Sequence, residues 1–263
     1  MPPPWLWPNL LSLDAPLVAA VWQDFVARSF HVPLRPAGRI ALFLTVWAIY
    51  IADRLLDVRR PANAAESARH RFYRRYRASA GALLAVLLAA DFAIVAFWLR
   101  PAVLRNGLAP LAAVLVYLAA LNIGPSQRRI PKEFAVAFLF TTGTFLVAWT
   151  NDPASPLALL LPAVAFFVLC LANLAAIERW EAAELRRTAP PAHPAARALA
   201  RAALVWIPLF AAAALAGARD PWYAAVALSA AAIAGLLCLG GRLPLDARRV
   251  LVDAALLTPL LFR

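Results

Sequence analysis

Cysteine occurs only twice in the 263-residue chain, at Cys170 and Cys238, and both positions lie in apolar runs. Two such thiols exclude a disulfide framework and a thiolate zinc site, and they read as inert buried side chains. The three histidines, His31, His70 and His193, fall in separate loops, which argues against a histidine metal cluster. Lysine occurs once, at Lys132, among 26 lysines and arginines. Charged residues make up only 15% of the chain, against about 25% in soluble domains. No segment reads as a soluble domain, and no short repeat period is present. The polar–apolar alternation of barrel strands is missing, while helix-forming Ala and Leu dominate. The opening MPPPWLWPNLL lacks a basic n-region and a clean cleavage site, so removal of a leader is not expected.

Apolar residues are what the chain has instead. They make up 63% of it, and the mean hydropathy is +0.71. The excess comes in blocks of roughly 15–22 residues, the length of a helix that crosses a bilayer. The expected fold is an all-α polytopic membrane bundle of about nine spans. These are Ala15–Phe30, Ile40–Leu56, Ser79–Trp98, Leu104–Ile123, Phe134–Trp149, Pro156–Ile177, Ala198–Gly217, Tyr223–Leu239 and Val250–Phe262. The first and last are short and carry Asp24 and Asp253. A single transmembrane domain over 1–263 follows, with cytoplasmic loops near 57–78, 124–133, 178–197 and 240–249.

The net charge of +12 is concentrated in the loops after even-numbered spans, a roughly threefold bias that puts those loops in the cytoplasm. The N-terminus is then cytoplasmic, and the expected location is a bacterial cytoplasmic membrane. Trp98, Trp149 and Trp222 are expected as an interfacial belt on the opposite face. Basic loops without a folded platform are expected to meet anionic lipid headgroups, and nucleic acid is not an expected partner.

Three polar groups stand out. Asp53 and Asp57, in WAIYIADRLLDVRRP, are four residues apart and share one helix face near the cytoplasmic level. They can be solvated acids paired with Arg54, Arg59 or Arg60. They can also hold a hard cation, since Mg²⁺ takes one or two carboxylates and fills its shell with water and phosphate oxygens. The second group, NLAAIERWEAAEL, carries Asn173, Glu178, Glu181 and Glu184. Glu178 and Glu181 can face together, either as a polar helix extension or as a second metal-binding face. Lys132 opens the fifth span on the same side, with Glu133 beside it. It suits either phosphate binding or a topology charge. Gly143 suits close helix approach. Asp91, midway along an apolar segment, is an intramembrane acid of the kind that marks function.

This set of features resembles the UbiA superfamily of intramembrane prenyltransferases. The family's first motif is NDxxDxxxD, followed by a basic loop and often an Arg-Pro. Asp53 and Asp57 match its last two acids, and Arg60–Pro61 match the Arg-Pro. Ile49 and Tyr50 stand in the Asn and Asp places. Asn173, Glu178 and Glu181 represent the second motif, DxxxD, only loosely. The resemblance implies Mg²⁺-dependent prenyl transfer from an isoprenyl diphosphate to an aromatic or lipid acceptor. It implies metal on Asp53, Asp57, Glu178 and Glu181. Arg60, Arg129 and Lys132 would offset the diphosphate charge, and Tyr50, with Asn173, would lie against the substrate. Two other classes stay open: a catalytically silent binder of a lipid or partner, and a small-solute transporter using Asp91 and Asp253.

Overall fold

The computed structural model describes residues 2–58, 68–120, 132–151, 157–185, 220–239 and 242–262. Among them all regular structure is helical. A 3₁₀ turn over Pro4–Leu6 runs into α1 (Trp7–Leu10), followed by α2 (Asp14–Ser29) and α3 (Pro36–Asp57). The chain continues through α4 (Ala68–Arg75), α5 (Arg77–Trp98), α6 (Pro101–Ala120), α7 (Lys132–Asn151) and α8 (Leu160–Leu185). It ends with α9 (Pro221–Leu239), α10 (Leu245–Ala254) and a 3₁₀ helix over Ala255–Leu261.

Eight of the expected spans correspond to these elements, and Ala198–Gly217 lies outside the described residues. The last expected span is not one continuous α-helix. It is the ten-residue α10 followed by seven residues of 3₁₀ helix. Pro259 lies inside that stretch, where its missing N–H and fixed ring work against an α-helical ladder. Five helices are long and apolar enough to cross a membrane: α5, α6, α7, α8 and α9. A sixth arises if Pro4–Leu10 and α2, bent by 80°, count together. The bend is made at Ser12, whose φ of 55° is the left-handed conformation a β-carbon disfavours. Its hydroxyl hydrogen-bonds the Tyr73 hydroxyl at 3.0 Å, which fastens the bend to α4.

An aromatic cluster forms the packing centre. Trp22, Phe145, Phe166 and Trp222 are fully buried. Trp22 and Trp222 meet edge to face at 5.2 Å between ring centroids, and Phe25 stacks on Trp222 at 5.5 Å. Such pairs add to the packing beyond area alone. Trp22 Nε1 donates to the Leu256 carbonyl at 2.6 Å, tying α2 to the terminal 3₁₀ helix. Trp222 is therefore a core residue and not part of an interfacial belt, whereas Trp98 is exposed. The expectation of two buried thiols also changes: Cys170 is buried and Cys238 is exposed.

The outer helices are packed differently. On α5 and α6, Val86, Phe92, Phe97 and Val116 stand largely uncovered. Apolar side chains in such number suit hydrocarbon rather than water. Gly143 on α7 allows the expected close approach, since a β-carbon there would meet Leu42 of α3 at 3.3 Å.

Candidate functional site

The chain alternates direction, so the C-termini of α3 and α8 and the N-termini of α2 and α7 gather at one end of the bundle. That end holds the polar cluster. Asp53 is buried near the last turn of α3. Lys132, the first residue of α7, reaches it across the bundle, with Nζ at 3.2 and 3.4 Å from the two carboxylate oxygens. Arg54 Nη1 lies 3.2 Å from Asp53 Oδ2 and 3.3 Å from Asp57 Oδ2. Both carboxylates therefore converge on a single nitrogen. His70 Nε2 is 4.0 Å from Asp57 Oδ2.

The acids of α8 reach the same end. Glu181 Oε1 accepts from Arg249 Nη2 at 2.6 Å and from Nε at 3.1 Å. Arg249 is buried and also contacts Asp246 at 3.3 Å. Glu178 is half-buried on α8 and has interactions of its own. Asn173 donates to the Val252 carbonyl at 2.9 Å and to Asp253 Oδ1 at 3.3 Å. Its amide thus holds α10 against α8. Arg60 and Arg129 lie outside the described residues.

Between the two acid groups sits Arg69 of α4. It interacts with the guanidinium groups of Arg54 and Arg249 and with the carboxylates of Asp14 and Glu181. Burial, then repulsion by Arg54 and Arg249, lowers it to about 10. Its Nε is buried with no hydrogen-bond partner, as is Nε of Arg54. A buried donor left unsatisfied is costly, and several crowded guanidinium groups are a setting that an incoming anion would relieve. Neighbouring His70 is shifted below its ordinary value by burial, then by Arg54 and Arg69.

Several of these groups cannot be picked out from the sequence. Arg69 reads as one arginine of a basic loop, and Arg249 as a topology charge. Arg54 is visible only as a partner for a solvated helix end. Tyr117 of α6 lies within electrostatic range of Asp53 and Tyr50, and nothing in its sequence surroundings signals this. Among the described residues no three His, Cys, Asp or Glu side chains form a metal-binding group. The intramembrane Asp91 accepts from Thr45 Oγ1 at 2.6 Å, on the side of α5 that packs against α3.

No protein-family model matches the chain, and no curated protein does. A solved structure does. The apo structure of a UbiA homolog from Aeropyrum pernix K1 is 19% identical, with a TM-score of 0.60. The match covers 95% of this chain and 98% of that one. At that identity the likeness establishes the fold: this chain is an all-α membrane bundle of the UbiA type.

Proposed function

We propose that the protein transfers the prenyl group of an isoprenyl diphosphate to a hydrophobic acceptor, at the cytoplasmic end of the bundle. The observation that carries this reading is the junction of Arg54, Arg69, Lys132 and Arg249 with the acids of α3 and α8, directly above apolar helices. A diphosphate needs concentrated positive charge, and its prenyl chain needs a greasy channel. Both requirements meet at this end.

Departure of the diphosphate builds negative charge on its bridging oxygen. The guanidinium groups and the Lys132 ammonium stabilise that charge electrostatically. Arg60 and Arg129 join this set by sequence alone. Tyr50, one turn before Asp53, offers an aromatic ring to the allylic cation. Asp53 and Asp57 fit a Mg²⁺ site of two protein carboxylates because they converge on one point, with the remaining positions left to water and diphosphate oxygens. Arg54 holds that point in the protein alone. Glu181, with Glu178 on the same helix, supplies the second acidic group. Mg²⁺, when bound, neutralises further charge on the leaving group.

A catalytically silent lipid binder is the second reading, and one observation favours it: Asp53, Asp57 and Glu181 are each already paired with a cation. The two separate by chemistry. Full-length protein incubated with geranyl diphosphate, Mg²⁺ and a mixture of hydroxylated acceptors should release inorganic diphosphate. Asp53→Asn or Asp57→Asn should abolish the release. Release that persists in both variants would sink the assignment of those carboxylates, and lipid binding without any release would favour the silent binder.

A further inference from the structure

Two arginines at the opposite end of the bundle from the ion-paired cluster are not balanced by acids. At that end Arg28 and Arg39 both pair with Asp24. Arg35, just before α3, and Arg100, just before α6, meet no carboxylate among the described residues. Both line one cleft, together with Trp98 at the end of α5 and Asn151 at the end of α7. Gly38 and Val147 belong to its apolar lining, and no Asp or Glu does. Arg100 Nη1 donates to Asn151 Oδ1 at 2.7 Å, which fixes the guanidinium at the cleft. Among the described residues no other hydrogen bond takes its remaining N–H groups.

The cleft lies at the level where the apolar helices end. α5 stops at Trp98, α6 starts at Pro101 and α7 stops at Asn151, and each of the three is long and apolar enough to cross a membrane. Helices of that length end at the lipid headgroups, so the two guanidinium groups and the Trp98 indole sit at headgroup depth. Trp98 is 58% exposed, and Phe97 and Leu104, on either side of the Arg100 corner, are exposed as well. Apolar surface therefore continues from the cleft along the outer helices α5 and α6. A free anion would use the cations and leave that surface bare. A lipid uses both, its phosphate at the guanidinium groups and its acyl chains along the helices.

We propose that this cleft binds one phospholipid of net negative charge, its phosphate held between Arg35 and Arg100 and its acyl chains lying along α5 and α6. The site is distinct from the diphosphate end. Arg35 and Asp53 are separated by most of α3, about 27 Å at the rise of an α-helix. Bound there, the lipid ties the corner between α5 and α6 to the start of α3 and the end of α7. Because it binds only the folded bundle, it stabilises that bundle by linkage. A zwitterionic lipid is the poorer ligand. Its own ammonium already offsets the phosphate, and the lining holds no acid to receive that ammonium.

The test is a lipid titration of full-length protein in a neutral detergent, with bound lipids counted by native mass spectrometry. Dioleoyl phosphatidylglycerol is compared with dioleoyl phosphatidylcholine. Basic loops elsewhere also attract anionic lipid, so the reading is the difference between proteins. Wild type should hold its tightest phosphatidylglycerol about tenfold more strongly than phosphatidylcholine, the scale of one charge-assisted contact. The Arg35→Gln, Arg100→Gln double variant should retain one phosphatidylglycerol fewer, with phosphatidylcholine unchanged. Arg105→Gln, an exposed arginine at the same end but outside the lining, should behave as wild type. If loss of the Arg100–Asn151 bond prevents folding, Arg35→Gln alone removes no hydrogen bond among the described residues, and it should weaken the tightest phosphatidylglycerol about threefold. Equal retention of the two lipids by wild type, a folded Arg35 variant that keeps every phosphatidylglycerol at full affinity, or an equal loss in Arg105→Gln would overturn the proposal. Displacement of the lipid by inorganic phosphate, at an ionic strength matched with chloride, would also overturn it by assigning the cleft to a free anion.

Discussion

The chain gathers acids in two neighbouring places and satisfies them in two ways. Asp53, Asp57 and Glu181 each meet a guanidinium or ammonium within 3.3 Å. Asp14 and Asp253 meet amide donors and line one small cleft. The first arrangement cancels charge with charge, at the end of the bundle nearest water, where cations can be solvated before they pair. The second leaves the acids to uncharged hydrogen-bond donors, in a cleft that is otherwise apolar and has no lining cation. A carboxylate with a fixed cation can hand that contact to a diphosphate or a metal. An acid held only by amides has no such cation to give up.

The comparison can be broken most strongly at the ion-paired end. Replacing both Asp53 and Asp57 with Asn should abolish diphosphate release, an expected loss of at least about a hundredfold if two charged ligands to metal or substrate go together. A coupled assay for released phosphate after pyrophosphatase treatment reads it.

Next in size is a stability effect. Arg249→Met leaves Glu181 without its cation, and breaking a buried pair costs about 3–5 kcal/mol. Glu181 is a third exposed, so the loss should fall toward the lower end of that range. Adding Glu181→Leu should recover most of it, and thermal unfolding of the four members of this double-mutant cycle measures the coupling. An uncoupled pair would mean the contact is ornamental.

Arg69→Gln should weaken diphosphate binding by about tenfold, near 1.4 kcal/mol, because one charge-assisted contact is lost. It should leave thermal stability nearly unchanged, since a crowded, under-satisfied guanidinium is removed. The smallest effect is expected at the amide-held acids. Asp253→Asn should change stability by less than about 1 kcal/mol, as the new side chain keeps an oxygen to accept from Asn173. A loss several times larger, on the scale of the Arg249 variant, would show that Asp253 holds a charged contact and remove the distinction between the two sites.

Much of the ion-paired end is legible in the sequence. Asp53 and Asp57 lie on one helix face by their spacing, and the arginine bias assigns Lys132 and the α8 acids to the same side. Helical length and apolarity place an α-helix at seven of the nine expected spans, five of them long and apolar enough to cross a membrane. The rest is hidden for physical reasons. Asp14 and Asp253 are brought together only by tertiary packing, and neither carries a local pattern that names the other. Trp222 sits at a span boundary, where an interfacial role is the ordinary inference, yet the helix start is buried under Phe25, Phe30 and Phe145. Arg69 and Arg249 look like any loop arginine until burial removes their water. The 3₁₀ end of the chain reflects Pro259, a residue whose effect on a terminal segment depends on what packs beside it.

The central claim is that this end of the bundle is a diphosphate site. The most direct measurement is a titration of purified full-length protein with geranyl S-thiolodiphosphate, a slowly reacting analogue, with and without Mg²⁺. Wild type, Arg69→Gln and the Asp53→Asn, Asp57→Asn double variant are compared. The account predicts binding by the wild type that tightens with Mg²⁺, weaker binding by Arg69→Gln, and loss of the Mg²⁺ effect in the double variant. Binding that is the same in all three proteins, or no binding by a folded wild type, would contradict it.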